Sequence, residues 1–324
     1  MERIKFGPSD LRVSRLGLGC MSMSGVYGKQ DDEECIRTIH QAIDLGVNFL
    51  DTSSNYGEGH NHLLIAKAIE GRRDKVVIHS KLGSIRPDGK TVVAGTPEHI
   101  RNSTEGALKR LGIDCLDVIC ISRVDPVVPV EESVGAMARM VKEGKTRHIA
   151  ISKELTPELL DRAWSVHPIV SVQDEYSLFV RDPETDLLGA VKKHGMAFMA
   201  FAPLGRGILA GLFHSLADMP ADDSRRKDDR YKPGNLEKNV ALVKGLEAMA
   251  AEKGVSVAAL ALAWLMHRDG TIVPIPSSKS RKHLAENVKA ASLKLTPADM
   301  ARIETLCPPG AVAGHSNHSP QAAR

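Results

Sequence analysis

Residues 97–152, PEHIRNSTEGALKRLGIDCLDVICISRVDPVVPVEESVGAMARMVKEGKTRHIAIS, contain two rounds of the cycle that decides the fold. Residues 97–111 space their apolar side chains as one helix face and meet a stop at Gly112; the apolar run 116–121 follows. A second helical stretch, 129–143, stops at Gly144 and leads into the run 148–151. Short continuous apolar runs, each followed by an amphipathic stretch, are the pattern of parallel strands covered on both faces by helices.

The same alternation extends in both directions. Further strands are expected at 15–19, 48–51, 76–80, 169–173, 196–201 and 271–274, making eight, with helices at 32–45, 62–69, 157–165, 186–194 and 257–267. No glycine-rich fingerprint opens the first unit, so the count favours a closed (β/α)8 barrel of the TIM type over an open doubly wound sheet. Residues 1–14 precede the cycle and read as a β-hairpin around Gly7-Pro8-Ser9-Asp10, placed to plug the lower mouth. Residues 235–254 form an extra helix after strand seven. The run 222–232, DDSRRKDDRYK, reads as a solvated loop, and the stretch after Cys307 as loop or disorder.

Composition narrows the partners. Of 324 residues, 42% are hydrophobic and 26% charged, with 43 Lys plus Arg against 40 Asp plus Glu, a net charge of +3 with the signs interspersed. Disordered and fibrous classes are excluded, and no basic stripe recommends nucleic acid or a membrane surface, so a small molecule is the expected partner. Five cysteines without metal or disulfide spacing suggest reduced thiols. His60, His62, His315 and His318 lack further ligands at metal spacing and read as loop histidines, so no metal is expected. The opening MERIKFGPSD has no apolar run behind its charges and no stretch of eighteen apolar residues occurs, so a cytoplasmic location is the expectation. Oligomeric state is not legible.

In a parallel barrel, reactive groups sit where strands end at the carboxyl face. The polar residues that close the runs are Asp51, Lys81, Ser122, Ser152, Gln173 and Ser277. A tyrosine titrates near pH 10 and serves proton transfer only when neighbours tune it; an ammonium held by a carboxylate would do so. Asp51, Tyr56 and Lys81 form such a set, though the spacing equally suits a structural Asp51–Lys81 ion pair beside a loop aromatic.

At these residues the chain resembles a known family. GLGCM at 17–21, DTSSNYG at 51–57, SKLG at 80–83, GKTRHIAIS at 144–152, VQDEYSL at 172–178, APLGRG at 202–207 and VPIPSSK at 273–279 look like the motifs of an aldo-keto reductase, with PPGAVAG at 308–314 familiar from longer-loop members. The resemblance implies one barrel domain over 1–324, with hairpin 1–14 and tail 308–324. It also implies NAD(P)H-dependent interconversion of an aldehyde or ketone with its alcohol, without metal. The catalytic Asp, Tyr and Lys would be Asp51, Tyr56 and Lys81. The family's histidine in HRVDP falls at Ser122 in SRVDP, a departure found where carbon–carbon double bonds are reduced. Ser152 and Gln173 would meet the nicotinamide carboxamide, and Phe201 would stack on its ring. Leu204, Gly205, Arg206 and Gly207 would run under the pyrophosphate. Ser278, Lys279 and Arg281 would meet a 2′-phosphate, favouring NADPH while leaving NADH possible, and Glu286 and Asn287 the adenine. Lys153 stands where relatives have Asn or Glu. Alternatives implied by the same resemblance are double-bond reduction, redox-assisted epimerisation, and a cofactor-binding regulatory subunit like the potassium channel β subunits.

Overall fold

A computed structural model describes residues 1–28, 30–85 and 92–316; Lys29 in the loop 22–30, and the tail beyond Ser316 with His318, lie outside the described residues. Two short strands, β1 (Arg3–Lys5) and β2 (Arg12–Ser14), pair antiparallel as the expected hairpin. The main sheet runs through β3 (Leu18–Gly19), β4 (Phe49–Ser53), β5 (Val77–Leu82), β8 (Leu116–Ile121), β9 (Thr146–Ser152), β10 (Ser171–Glu175), β11 (Ala197–Phe201) and β12 (Ile272–Pro274), each parallel to the next. Between β5 and β8 a two-residue pair, β6 (Ser84–Ile85) and β7 (Val92–Val93), adds a small antiparallel ribbon that the apolar runs do not announce.

The sheet closes on itself. Gly17 N–H donates to Pro274 O at 3.0 Å and Gly19 N–H to Pro276 O at 3.1 Å, with a parallel bridge from Gly19 to Ser277. The seam is tight: a Cβ on Gly17 would lie 2.8 Å from the Phe49 ring, and one on Gly19 2.8 Å from Ile275 O. Only glycine lets the two backbones approach this closely. The architecture is the expected (β/α)8 barrel.

Period-two alternation sorts the strand side chains. Phe49, Val77, Val118, Ala150, Ala197, Met199 and Val273 pack inside the barrel, whereas Leu50, Ile78, Ile119, Ile149, Val172 and Phe198 face the helices. Phe6 and Leu11 of the hairpin belong to the inner cluster, and Phe6 lies on Phe49 with ring centroids 5.0 Å apart. Burying such a ring contributes about 2 kcal/mol, enough to hold the hairpin as the floor of the barrel.

The covering helices are α1 (Asp32–Asp44), α2 (His60–Ala68), α3 (Pro97–Leu111), α4 (Val130–Lys142), α5 (Pro157–Val166), α6 (Leu187–Lys193) and α8 (Val257–Arg268); α7 (Asn235–Glu252) is the expected extra helix. Threonine side chains cap α3 and α5 ahead of Pro97 and Pro157 at their first turns. α8 is buried continuously from Val257 to Met266 because it packs against α7, β12 and α9 (Arg281–Val288). Among the described residues no single helix is long and apolar enough to cross a membrane.

Two expectations are corrected. His60 opens α2 rather than lying in a loop, and His62, inside the expected helix, is not a surface residue but fully buried against Ser80 and Arg110. The run 222–232 is not simply solvated: Asp223, Asp228, Arg230 and Tyr231 are buried, and Asp228 pairs with Arg206 at 2.7 Å. As expected, the stretch after Cys307 is loop as far as Ser316, and it is docked, with Ala313 exchanging hydrogen bonds with Asn239 of α7 and Ser316 donating to Glu175 at the end of β10. A further helix, α10 (Pro297–Leu306), precedes it.

Candidate active site

The pairing register brings the first group together. Asp51 on β4 sits opposite His79 on β5, and Lys81 follows two residues later on the same inward face. Asp51 Oδ2 accepts from Lys81 Nζ at 2.5 Å, while Oδ1 contacts His79 Nδ1 at 2.9 Å and accepts from the Gln173 amide, also at 2.9 Å. All four side chains are buried. The carboxyl is held well below its ordinary value, at about 2: burial pushes it upward, and the Lys81 charge with the His79 contact more than offsets this. Lys81 is raised by the same partner against the opposing effect of burial.

Tyr56 follows β4 in a turn in which Gly57 and Glu58 both take left-handed backbone, with φ of 58° and 53°. A Cβ on Gly57 would lie 3.0 Å from both His60 and Ser24, so the turn is close-fitting. Its base is secured by Asn61, whose side chain accepts from Thr52 and donates to Cys20 O and Ser24. The Lys81 ammonium lies 5.0 Å from the Tyr56 ring centroid. Burial nevertheless dominates and raises the phenol to about 12, with Lys81 pulling it back only in part. The hydroxyl therefore carries its proton at neutral pH.

Ser122 follows β8, where its N–H donates to Leu82 O and its hydroxyl shares a hydrogen bond of 2.6 Å with Ser84 of β6. Ser152 ends β9 fully buried, and its hydroxyl has no hydrogen-bond partner among the described residues. Gln173 donates one amide N–H to Asp51 Oδ1 at 2.9 Å. Lys153 places its ammonium 4.8 Å from the centroid of Phe201.

A second group lies where the loop 21–28 meets the segment after β11. Gly205, Arg206 and Gly207 all take positive φ, 54°, 58° and 113°. Arg206 pairs with Asp228, and its carbonyl accepts from Tyr231 and Arg225. Arg225 stacks on Tyr27 and Phe213, and Lys279 donates to Tyr27 O at 2.8 Å. Leu204 is partly buried against the core. Ser278 binds Ser280 O, Arg281 pairs with Glu34 at 2.9 Å, Glu286 pairs with Lys289, and Asn287 is buried at the inner face of α9.

Sequence reading misses His79, Ser84 and Arg225 among these. His79 was within reach, since an inward Lys81 implies an inward residue two positions earlier. Arg225 and Ser84 carry no local signal, because their partners come from other loops.

The sequence profile of the Aldo/keto reductase family matches residues 15–307, and the chain belongs to that family, whose members are in general NAD(P)H-dependent carbonyl reductases. Among solved structures it is similar to the glycerol dehydrogenase of Gluconobacter oxydans, with 28% identity over 94% of each chain and a TM-score of 0.86. It is also similar to an aldo-keto reductase from Bacillus halodurans in its holo form, at 25% identity over 98% of this chain and 99% of the other, TM-score 0.80. An aldo/keto reductase from Klebsiella pneumoniae in complex with NADP and acetate gives 26% identity over 95% of each chain and a TM-score of 0.76. The protein is thus an NAD(P)H-dependent oxidoreductase of a family that acts on small carbonyl compounds.

Proposed function

We propose that the protein interconverts an aldehyde or ketone with its alcohol, with Tyr56 as the general acid and base. The observation that carries this reading is the series Asp51–Lys81–Tyr56 at the carboxyl end of the barrel, beside a buried Ser152 hydroxyl that has no partner among the described residues. Asp51 fixes the Lys81 ammonium; Lys81 orients the phenol and steadies it when its proton leaves. Ser122, aligned by Ser84, would supply a second donor to the carbonyl oxygen.

The residues fit a nicotinamide dinucleotide. Ser152 offers the hydroxyl that a carboxamide would engage, with Gln173 as its neighbour, and Phe201 would supply the ring that stacks on the nicotinamide. The positive-φ turn from Leu204 to Gly207 brings backbone close to a pyrophosphate: a Cβ on Gly207 would lie 3.0 Å from Phe213 and 3.1 Å from Arg225. Ser278, Lys279 and Arg281 would meet a 2′-phosphate, and Glu286 with Asn287 the adenine. When bound, the dinucleotide gives or takes the hydride. Klebsiella relatives solved with NADP and with NADPH support this assignment and favour NADPH.

Titration is expected to show NADPH bound more tightly than NADH. Lys279→Ala should narrow that gap by about tenfold, the scale of one charge-assisted hydrogen bond. Equal affinities in the parent protein would refute the phosphate assignment. The substrate is best sought with a panel of aldehydes, ketones, enones and sugar alcohols under both cofactors, read at the nicotinamide absorbance band. Turnover of enones alone would move the chemistry to double-bond reduction, and turnover of nothing would favour a regulatory role.

Ser122 gives a sharper expectation. A serine is shorter than histidine and cannot carry positive charge. Losing one oriented donor to a developing oxyanion costs about 3 kcal/mol, roughly a hundredfold in rate. Simple aldehydes should therefore be reduced slowly, and Ser122→His should raise their kcat. No gain with any simple aldehyde in a variant that binds cofactor normally would reject an adapted site.

A further inference from the structure

Lys153 is the first residue after β9, immediately beyond Ser152, and its backbone N–H is held by Gln173 O at 3.3 Å. It and Glu154 both adopt left-handed backbone, with φ of 55° and 56°, an arrangement unfavourable for residues with long side chains. That turn sends the lysine side chain across the barrel mouth, so that its ammonium rests 4.8 Å from the centre of the Phe201 ring. An aromatic face attracts a cation through its quadrupole, and here the cation comes from the protein itself.

The charges around this ammonium come from several elements. Arg123, beyond β8, pairs with Glu154; Lys81 comes from β5; Asp174 and Glu175 from β10. Of these, Arg123 and Lys81 act on Lys153 more strongly than the two carboxylates. Burial and those two cations together lower the ammonium to about 8, while burial raises Asp174 to about 6. Arg123 is paired with Glu154 and Lys81 with Asp51, and the Lys153 ammonium is the cation set against the Phe201 ring.

The two redox forms of a nicotinamide differ there in one respect: the reduced ring is neutral and the oxidised ring carries a positive charge. On the reading that Phe201 stacks on this ring, we infer that Lys153 makes the site discriminate between the two forms, holding the reduced dinucleotide and repelling the oxidised one. The lysine backbone is anchored at the end of β9, with its N–H held by Gln173 O, which keeps the root of the side chain beside Phe201 when the ring is seated. Lys153 acts as a positioning residue for charge: it favours loading of the reduced form and hastens loss of the oxidised form.

The test is the ratio of dissociation constants, Kd(NADP⁺)/Kd(NADPH), in the full chain between pH 6.5 and 9.5. The adenine half is common to both forms, so the ratio isolates the ring. Lys153→Met keeps an apolar stem and removes the charge; at pH 6.5 it is expected to lower the ratio by at least about tenfold, as two unit charges some 6 Å apart near a protein surface require. In the parent the ratio should fall as pH rises through about 8, where Lys153 loses its proton. Lys153→Arg keeps its charge throughout and should hold the ratio high at every pH. A Lys153→Met ratio equal to the parent's at pH 6.5 would overturn the inference, and so would equal weakening of both forms, which a purely structural lysine would produce. Absence of binding of either form to the parent would instead overturn the cofactor assignment on which the inference rests.

Discussion

Tyr56→Phe is expected to lower kcat by about a hundredfold or more in both directions while leaving dinucleotide affinity unchanged. The substitution removes one oxygen and keeps the ring that faces Lys81 at 5.0 Å, so the turn around Gly57 has no reason to move. In the parent, the phenol sits at about 12 because burial outweighs the help of Lys81. It is therefore protonated throughout the neutral range. Reduction, which needs the proton, should be level from about pH 6 to 9, whereas alcohol oxidation, which needs the phenolate, should rise steadily with pH. A folded Tyr56→Phe variant with undiminished turnover would remove Tyr56 from the mechanism.

Asp51→Asn should be the most damaging single change to stability at the site. The carboxylate is 3% exposed, Lys81 is 7% exposed, and the isosteric amide leaves that ammonium buried without its counter-charge. Breaking a buried pair in this way costs about 3 to 5 kcal/mol, readable as a lower urea midpoint at pH 7. The pH dependence has a definite sign. Asp51 is depressed from 3.8 to about 2 on folding, so its contribution is complete above about pH 4 and is lost as pH falls towards 2. Parent and variant should converge in that acid window. A variant as stable as the parent at pH 7 would mean that the three contacts to Asp51 carry no net energy. Turnover should fall as well, because Lys81 is no longer fixed beneath the phenol.

Much of the barrel is visible in the linear pattern because its strands are apolar on both faces and its helices end at glycine. Elements with little to bury leave fainter traces. α9 hides only Leu284 and Asn287, α10 only Ile303, and β6 and β7 are two residues each, so none has an apolar rhythm to read. Asp51, Lys81 and Tyr56 could be singled out because strand ends in a parallel barrel converge. The roles of Arg225, Arg230 and Asp228 could not. A charge run looks alike whether solvated or folded inward, and what draws this one in is distant in sequence: Arg206, Glu175 and the ring of Tyr27. The bond from Gln173 to Asp51 was likewise not legible, because it depends on side-chain packing across the barrel.

The seam between Gly17–Gly19 and Pro274–Ser277 also sets a timetable for synthesis. The partner of the first barrel strand lies more than 250 residues downstream, as the contact from Ser22 to Ser277 illustrates with a separation of 255. While the chain emerges from the ribosome, β3 presents an unpaired backbone edge until nearly the whole sequence has been made. β3 is only two residues long, flanked by Gly17 and backed by its own neighbour β4, which leaves little edge for a second nascent chain to join. Brevity at that strand thus protects the growing protein during the longest wait in its assembly.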